Sequence, residues 1–261
     1  MRQESDMKKT IIRDLDRFIK DYGTERRTSI ENAEAVVLEE KPIEETDLVF
    51  LMDRFGYART IDPSTYERNT ESVLQENKYV FTVKNTGKIC LFTADGKLHT
   101  VKCLDLPLGK LRDKGIPIDN VSNFNSTLET VVYAASMESL ISQKLLFVTR
   151  LSMCKLVDGS EFDIQKRSAA ATNLSDGDEL LSITPIDDAM RQVLFRTAGG
   201  IFLRFSIDEI PEKKKGAVGV RGMKLSPGDK LEEVYFMNFA DERTIEFNGM
   251  QMPMTQIKTT H

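Results

Sequence analysis

Gln192 to Phe205 reads QVLFRTAGGIFLRF. Two short runs rich in β-branched and aromatic residues flank Ala198-Gly199-Gly200, which is the composition of a β-hairpin with a glycine turn. Thr197 stands three residues before the last glycine, and basic residues follow. Lys88 to Val101 (KICLFTADGKLHTV) has the same layout, and Lys144 to Val157 (KLLFVTRLSMCKLV) is a looser copy. Two more candidates lie at Asp47 to Ile61, turning at Arg54-Phe55-Gly56, and at a turn on Asn248-Gly249. The third turn, near Leu151-Ser152, lacks glycine and is the weakest of the five.

Counted on residues 56, 96, 152, 200 and 249, the turns are 40, 56, 48 and 49 residues apart. A period of that size predicts a propeller-like array of four-stranded blades. A second element keeps the same phase. Leu174 to Leu180 is LSDGDEL and Leu225 to Leu231 is LSPGDKL, 51 residues on. The expected fold is therefore all-β, about five four-stranded blades, with the fifth short of its later strands. Val36-Val37-Leu38 could supply a closing strand.

One helix precedes the array. In Lys8 to Tyr22, Ile11, Leu15, Phe18 and Tyr22 form one stripe, widened by Ile12 and Ile19, and Gly23 follows as a C-cap. An acidic connector with Glu39, Glu40, Glu44 and Glu45 leads to the strands.

The totals narrow the function. At 261 residues, 40% hydrophobic and 30% charged, the chain has a globular composition and enough length to bury a large core. No apolar run approaches the roughly 20 residues of a membrane helix, and the N-terminus lacks the apolar stretch of a secretory signal. The expectation is a cytoplasmic protein without a membrane partner. Cys90, Cys103 and Cys154 sit in strand-like runs and read as buried, reduced thiols. Two histidines, His99 and the terminal His261, leave little for imidazole catalysis or a metal site. No phosphate loop, zinc-protease or nucleophile-elbow motif is present. The expectation is no enzyme activity and no cofactor.

Net charge is −5, but residues 191–261 carry 11 basic and 9 acidic side chains. Basic loops follow successive hairpins: Lys110, Arg112 and Lys114, then Lys166 and Arg167, then Lys213, Lys214 and Lys215 running on to Arg221. At equivalent points of a repeat they would line one rim of the array. Glycines beside them would let backbone N–H groups approach phosphate while Lys and Arg supply charge. A row of phosphate contacts without base-reading side chains suits bending or wrapping of a duplex. Arg54, Arg59, Arg150, Lys155, Arg196 and Arg204, within the hairpins, are second-tier contacts that could instead pack their stems and hold their heads in water. The rival reading is a protein-interaction propeller with no nucleic-acid role. It would want an exposed aromatic patch, and the chain has no tryptophan.

Several stretches resemble the C-terminal domain of bacterial type IIA topoisomerase A subunits, the family of the DNA gyrase and topoisomerase IV A subunits. KKKGAVGVRGMKL (213–225) resembles its repeat signature, and IIRDLDRFIKDYGTERRTSI (11–30) resembles the junction between coiled coil and C-terminal domain. Residues 47–61 resemble its first strand pair, and LDLPLGKLRDKGIPIDNVSN (104–123) is similar to a second-blade loop of Gram-positive topoisomerase IV. The resemblance implies a coiled-coil end and junction over residues 1–33 and, over 34–261, a β-pinwheel, in which neighbouring blades exchange strands. It further implies that a basic rim holds and bends double-stranded DNA and so sets the parent enzyme's topology preference. The partners would be the ATPase B subunit of the parent heterotetramer together with the rest of the A subunit. The cleavage tyrosine belongs to another part of such a protein. Gyrase carries a basic box of the form QRRGGKG after the first hairpin, whereas Tyr66 to Leu74 here is YERNTESVL. That departure makes topoisomerase IV the better match.

Overall fold

A computed structural model describes residues 2–24, 28, 44–238, 240–247 and 249–257. The chain divides into two units, Met1–Pro42 and Ile43–His261. Of the first unit the structure describes helix α1 (Arg2–Tyr22), whose end is closed by a Gly23 N–H donating to the Ile19 carbonyl at 2.8 Å. Ile11, Leu15, Phe18 and Tyr22 fall on one stripe of it, and all are exposed. Most of the ERRTSI junction and the expected closing strand at Val36-Val37-Leu38 lie outside the described residues.

The second unit is built from the predicted hairpins. Strands β1 (Asp47–Asp53) and β2 (Tyr57–Ile61) are followed by helices α2 (Pro63–Arg68) and α3 (Thr70–Glu76), then β3 (Asn77–Lys84). β4 (Lys88–Thr93) and β5 (Lys97–Lys102) form the second hairpin, followed by β6 (Ile116–Pro117), β7 (Val131–Ser136) and a short helix α4 (Met137–Ile141). β8 (Lys144–Thr149) and β9 (Met153–Asp158) lead to β10 (Ser168–Ala170) and β11 (Leu180–Ile186). β12 (Gln192–Thr197) and β13 (Phe202–Ser206) lead to β14 (Val220–Arg221) and β15 (Leu231–Met237), and β16 (Thr244–Phe247) pairs with β17 (Met250–Pro253).

The sheets run β3-β1-β2-β6, β10-β5-β4-β7, β11-β8-β9-β14, β13-β12-β15 and β16-β17. In each of the first three, the outer strand comes from the segment after the next hairpin: β6 follows β5 yet pairs with β2, and β14 follows β13 yet pairs with β9. This exchange is the β-pinwheel. Three blades are four-stranded, and among the described residues the fourth has three strands and the fifth two.

Continuous apolar runs make sense because the second and third blades bury the first strand of their hairpin on both faces. Adjacent residues of a strand point to opposite faces, so Ile89 and Leu91 enter the core between blades one and two, while Cys90 and Phe92 enter the next. Likewise Leu145 and Phe147 face one way and Leu146 and Val148 the other. The repeated heptapeptide is a latch. Asp178 Oδ1 accepts from the Leu151 and Glu179 N–H groups at 2.9 and 2.8 Å, and Asp229 Oδ1 accepts from Gly199 and Lys230 at 3.0 and 2.9 Å. The last residue of each heptapeptide ties to the preceding blade's turn: Leu180 N–H donates to the Ala94 carbonyl, and Leu231 N–H to the Arg150 carbonyl.

Candidate nucleic-acid interface

The exchanged strands decide where the basic loops stand. Each loop leaves a one-turn 3-10 helix, runs beside the second strand of the preceding blade, and closes on it as a short antiparallel strand. Thr60 N–H donates to Pro107 O and its carbonyl accepts back from Gly109 N–H; Leu156 does the same with Pro211 and Lys213. The loops thus occupy equivalent edges of three successive blades, as the periodicity implies.

On the first loop Lys110, Arg112 and Lys114 are exposed. Asp113 shapes the turn by accepting from the Lys110 N–H at 2.7 Å, and Lys114 Nζ lies 4.3 Å from the Tyr57 ring centre. Lys166 and Arg167 are exposed on the second loop, their carbonyls taken by the Thr100 hydroxyl (3.1 Å) and N–H (2.9 Å). On the third, Lys213 and Lys214 are exposed, as is Arg221 on β14. Lys215 differs from the expectation. It is half-buried, its N–H donating to Glu161 Oε2 at 2.8 Å and its Nζ to the Glu161 carbonyl at 2.7 Å, so it anchors the loop.

The second-tier residues divide. Arg54 is exposed at the first turn. Arg59 and Lys155 are 5% and 1% exposed, so burial corrects both readings of them, the second-tier contact to phosphate and the alternative of a head held in water. Their charged ends face loop carbonyls: Arg59 Nη2 donates to Leu111 O at 3.0 Å, and Lys155 Nζ to Lys215 O and Ala217 O, each at 2.6 Å. A strand signal for this existed. Arg59 lies two residues before Ile61, and Lys155 two before Val157, on the face those core residues share. Arg150 pairs with Glu179 at 3.3 Å and Arg196 with Glu233 at 2.6 Å, while Arg204 donates to the Ile257 carbonyl at 2.9 Å. These three are engaged within the fold.

Two loop supports were invisible in the loop sequences themselves. Asn173 Nδ2 donates to Gly216 O at 2.6 Å, and Glu161 holds Lys215. Both come from the blade before, and no local pattern points to them. Gly115 and Gly219 take φ of +78° and +104° where the loops meet the strand, and a Cβ there would lie 2.4 Å from Ala58 O and 2.6 Å from Cys154 O.

After the first hairpin the edge is different. Residues 63–76 fold as α2 and α3, with Val73 buried against Leu51, Ile61 and Leu111, and Glu67 and Glu71 exposed. The cysteines are buried and unpaired: burial pushes Cys90 and Cys154 up to about 12 and Cys103 to about 11. Among the described residues no cluster of three His, Cys, Asp or Glu could hold a metal ion, and no helix is long and apolar enough to cross a membrane.

Residues 143–187 and 191–235 match the family model described as the DNA gyrase C-terminal domain, beta-propeller. The DNA gyrase A subunit of Lawsonia intracellularis is 29% identical over 234 residues, covering 85% of this chain and 28% of that protein. The chain thus spans less than a third of that relative. Among solved structures, the C-terminal domain of a DNA topoisomerase IV superposes with a TM-score of 0.71 at 19% identity, over 84% of this chain and 71% of that one. The E. coli ParC C-terminal domain gives 0.65 at 16%, over 79% and 85%. The chain is thus similar in sequence to DNA gyrase A subunits and shares the β-pinwheel fold of these C-terminal domains.

Proposed function

We propose that this pinwheel binds and bends duplex DNA on its basic loops, in the setting of a topoisomerase IV A subunit rather than a gyrase. The observation that carries the reading is the recurrence of exposed cations at one edge of three successive blades: Lys110, Arg112 and Lys114, then Lys166 and Arg167, then Lys213, Lys214 and Arg221. A row of phosphate contacts along blade edges favours a bent duplex over a straight one, because bending brings further phosphates into reach. Lys and Arg spaced along blade edges neutralise phosphates whatever the base sequence, so contacts of this kind would be largely sequence-independent.

The choice of topoisomerase IV rests on the first blade. The segment that would carry gyrase's basic box is two short helices, with Glu67 and Glu71 exposed beside Arg68. Carboxylates there repel phosphate, so the duplex is held along the three basic loops without continuing past α2 and α3. The chain has no reaction of its own in this reading and needs no cofactor. It works in the cytoplasm with the ATPase B subunit, joined to the remainder of the A subunit.

The test is duplex bending by energy transfer between labelled DNA ends, with linking number measured on a relaxed circle. Bending with little trapped writhe is expected. Strong chiral wrapping would return the chain to gyrase, and no bending at low salt would favour a protein-interaction propeller.

A further inference from the structure

A buried ammonium is costly unless its N–H groups all find acceptors. Lys155 meets that demand with a single loop. Its Nζ is 2.6 Å from Lys215 O, 2.6 Å from Ala217 O and 3.3 Å from Lys214 O. Three donors meet three backbone acceptors, and the Phe147 ring lies below at 5.4 Å. All three acceptors belong to the turn that follows Lys213 and carries Lys214. The ammonium thus gathers the loop's carbonyls inward, which leaves the Lys213 and Lys214 side chains facing solvent.

The same register position recurs. Arg59, His99, Lys155 and Leu203 pair with Leu51, Leu91, Phe147 and Phe195 across their hairpins. Where an exchanged segment is described, the residue is a buried nitrogen base touching that segment. Arg59 reaches Leu111 O, and His99, 2% exposed, places Nδ1 2.9 Å from Ser168 Oγ on β10. In the fourth hairpin the position is Leu203, and no exchanged strand is described on β13.

We propose that Lys155 is a positioning residue for duplex binding, which holds the Lys213–Ala217 loop from beneath and never touches DNA itself. This rests on the DNA-binding reading for its affinity effect, while its effect on the loop stands apart from that reading.

The test uses the full chain. Lys155→Met keeps the stem and removes the donors. Amides of Lys215 to Gly219 are expected to exchange hydrogen at least about tenfold faster in Lys155→Met, with the remaining blades unchanged. Duplex affinity at low salt is expected to fall by about tenfold. In a double-mutant cycle, that loss should vanish in the Lys213→Ala/Lys214→Ala background, because Lys155 then has no cations to position. Additive losses would overturn the proposal by giving Lys155 its own contact, and so would unchanged loop exchange. If Lys155→Met does not fold, Lys155→Arg, which keeps the charge and displaces the donors, carries the same cycle. Failure of the unmodified chain to bind any duplex overturns the DNA-binding reading and the affinity effect with it, and hydrogen exchange still decides whether Lys155 holds the loop.

Discussion

At Ser152 the third hairpin turns with φ of +67°, a left-handed conformation that the other turns give to Gly56, Gly96, Gly200 and Gly249. A side chain in that region costs about 1–2 kcal/mol, partly offset when glycine's looser unfolded chain replaces it. Ser152→Gly should therefore raise stability by about 0.5–1 kcal/mol in urea unfolding; a lowered midpoint would contradict this. Lys155 gives a pH signature. Burial pushes its ammonium down to about 8 against attraction from Glu161, whereas an unfolded lysine titrates near its ordinary ~10.4. Between those values the unfolded chain binds the extra proton, so the folded state gains as pH rises through the window. Unfolding curves of the unmodified chain and Lys155→Met should show the difference moving in the unmodified chain's favour between about pH 7.5 and about pH 10. A flat difference would mean that the buried site does not disfavour the charge. The thiols offer a third check. With Cys90 and Cys154 pushed to about 12 and Cys103 to about 11, thiol reagents at pH 8 should modify the folded chain at least about a hundredfold more slowly than the unfolded one.

Among elements, the exchanged strands are short and depend on their entry residues. Gly219 precedes β14 at φ +104° with Cys154 O 2.6 Å from any Cβ, whereas Gly216, three residues earlier, has nothing within 4 Å. Gly219→Ala should cost about 2–3 kcal/mol and detach Arg221 from its pairing with Met153, while Gly216→Ala should be nearly neutral. Equal effects would contradict the close approach. The hairpins were legible in the sequence because turn chemistry and apolar runs are local: Asp95-Gly96 and Gly199-Gly200 announce themselves. The exchange was not legible from residues alone, since β6, β10 and β14 are two or three residues long and are fixed by partners 58 to 73 positions away. The exposed loop cations could be read from composition. The inward turn of Arg59, Lys155 and Lys215 could not, because a cation's sequence neighbours do not reveal which carbonyls wait for it. Alternation against Ile61 and Val157 was the available clue.

For the whole molecule, an acidic chain of net charge −5 carries its exposed loop cations as a local stripe, and the proposed duplex binding rests on that stripe. The stripe exists because strand exchange returns every basic segment to the edge of the blade before it. Duplex affinity should then fall steeply with salt, with a log–log slope of roughly −0.9 for each phosphate neutralised. The most direct measurement is that slope for the unmodified chain and for Lys213→Ala/Lys214→Ala/Arg221→Ala, on one duplex across one salt series. The slope should become shallower by roughly 2–3 with the fold intact. An unchanged slope would remove the third loop from the interface and with it the stripe that joins the blades.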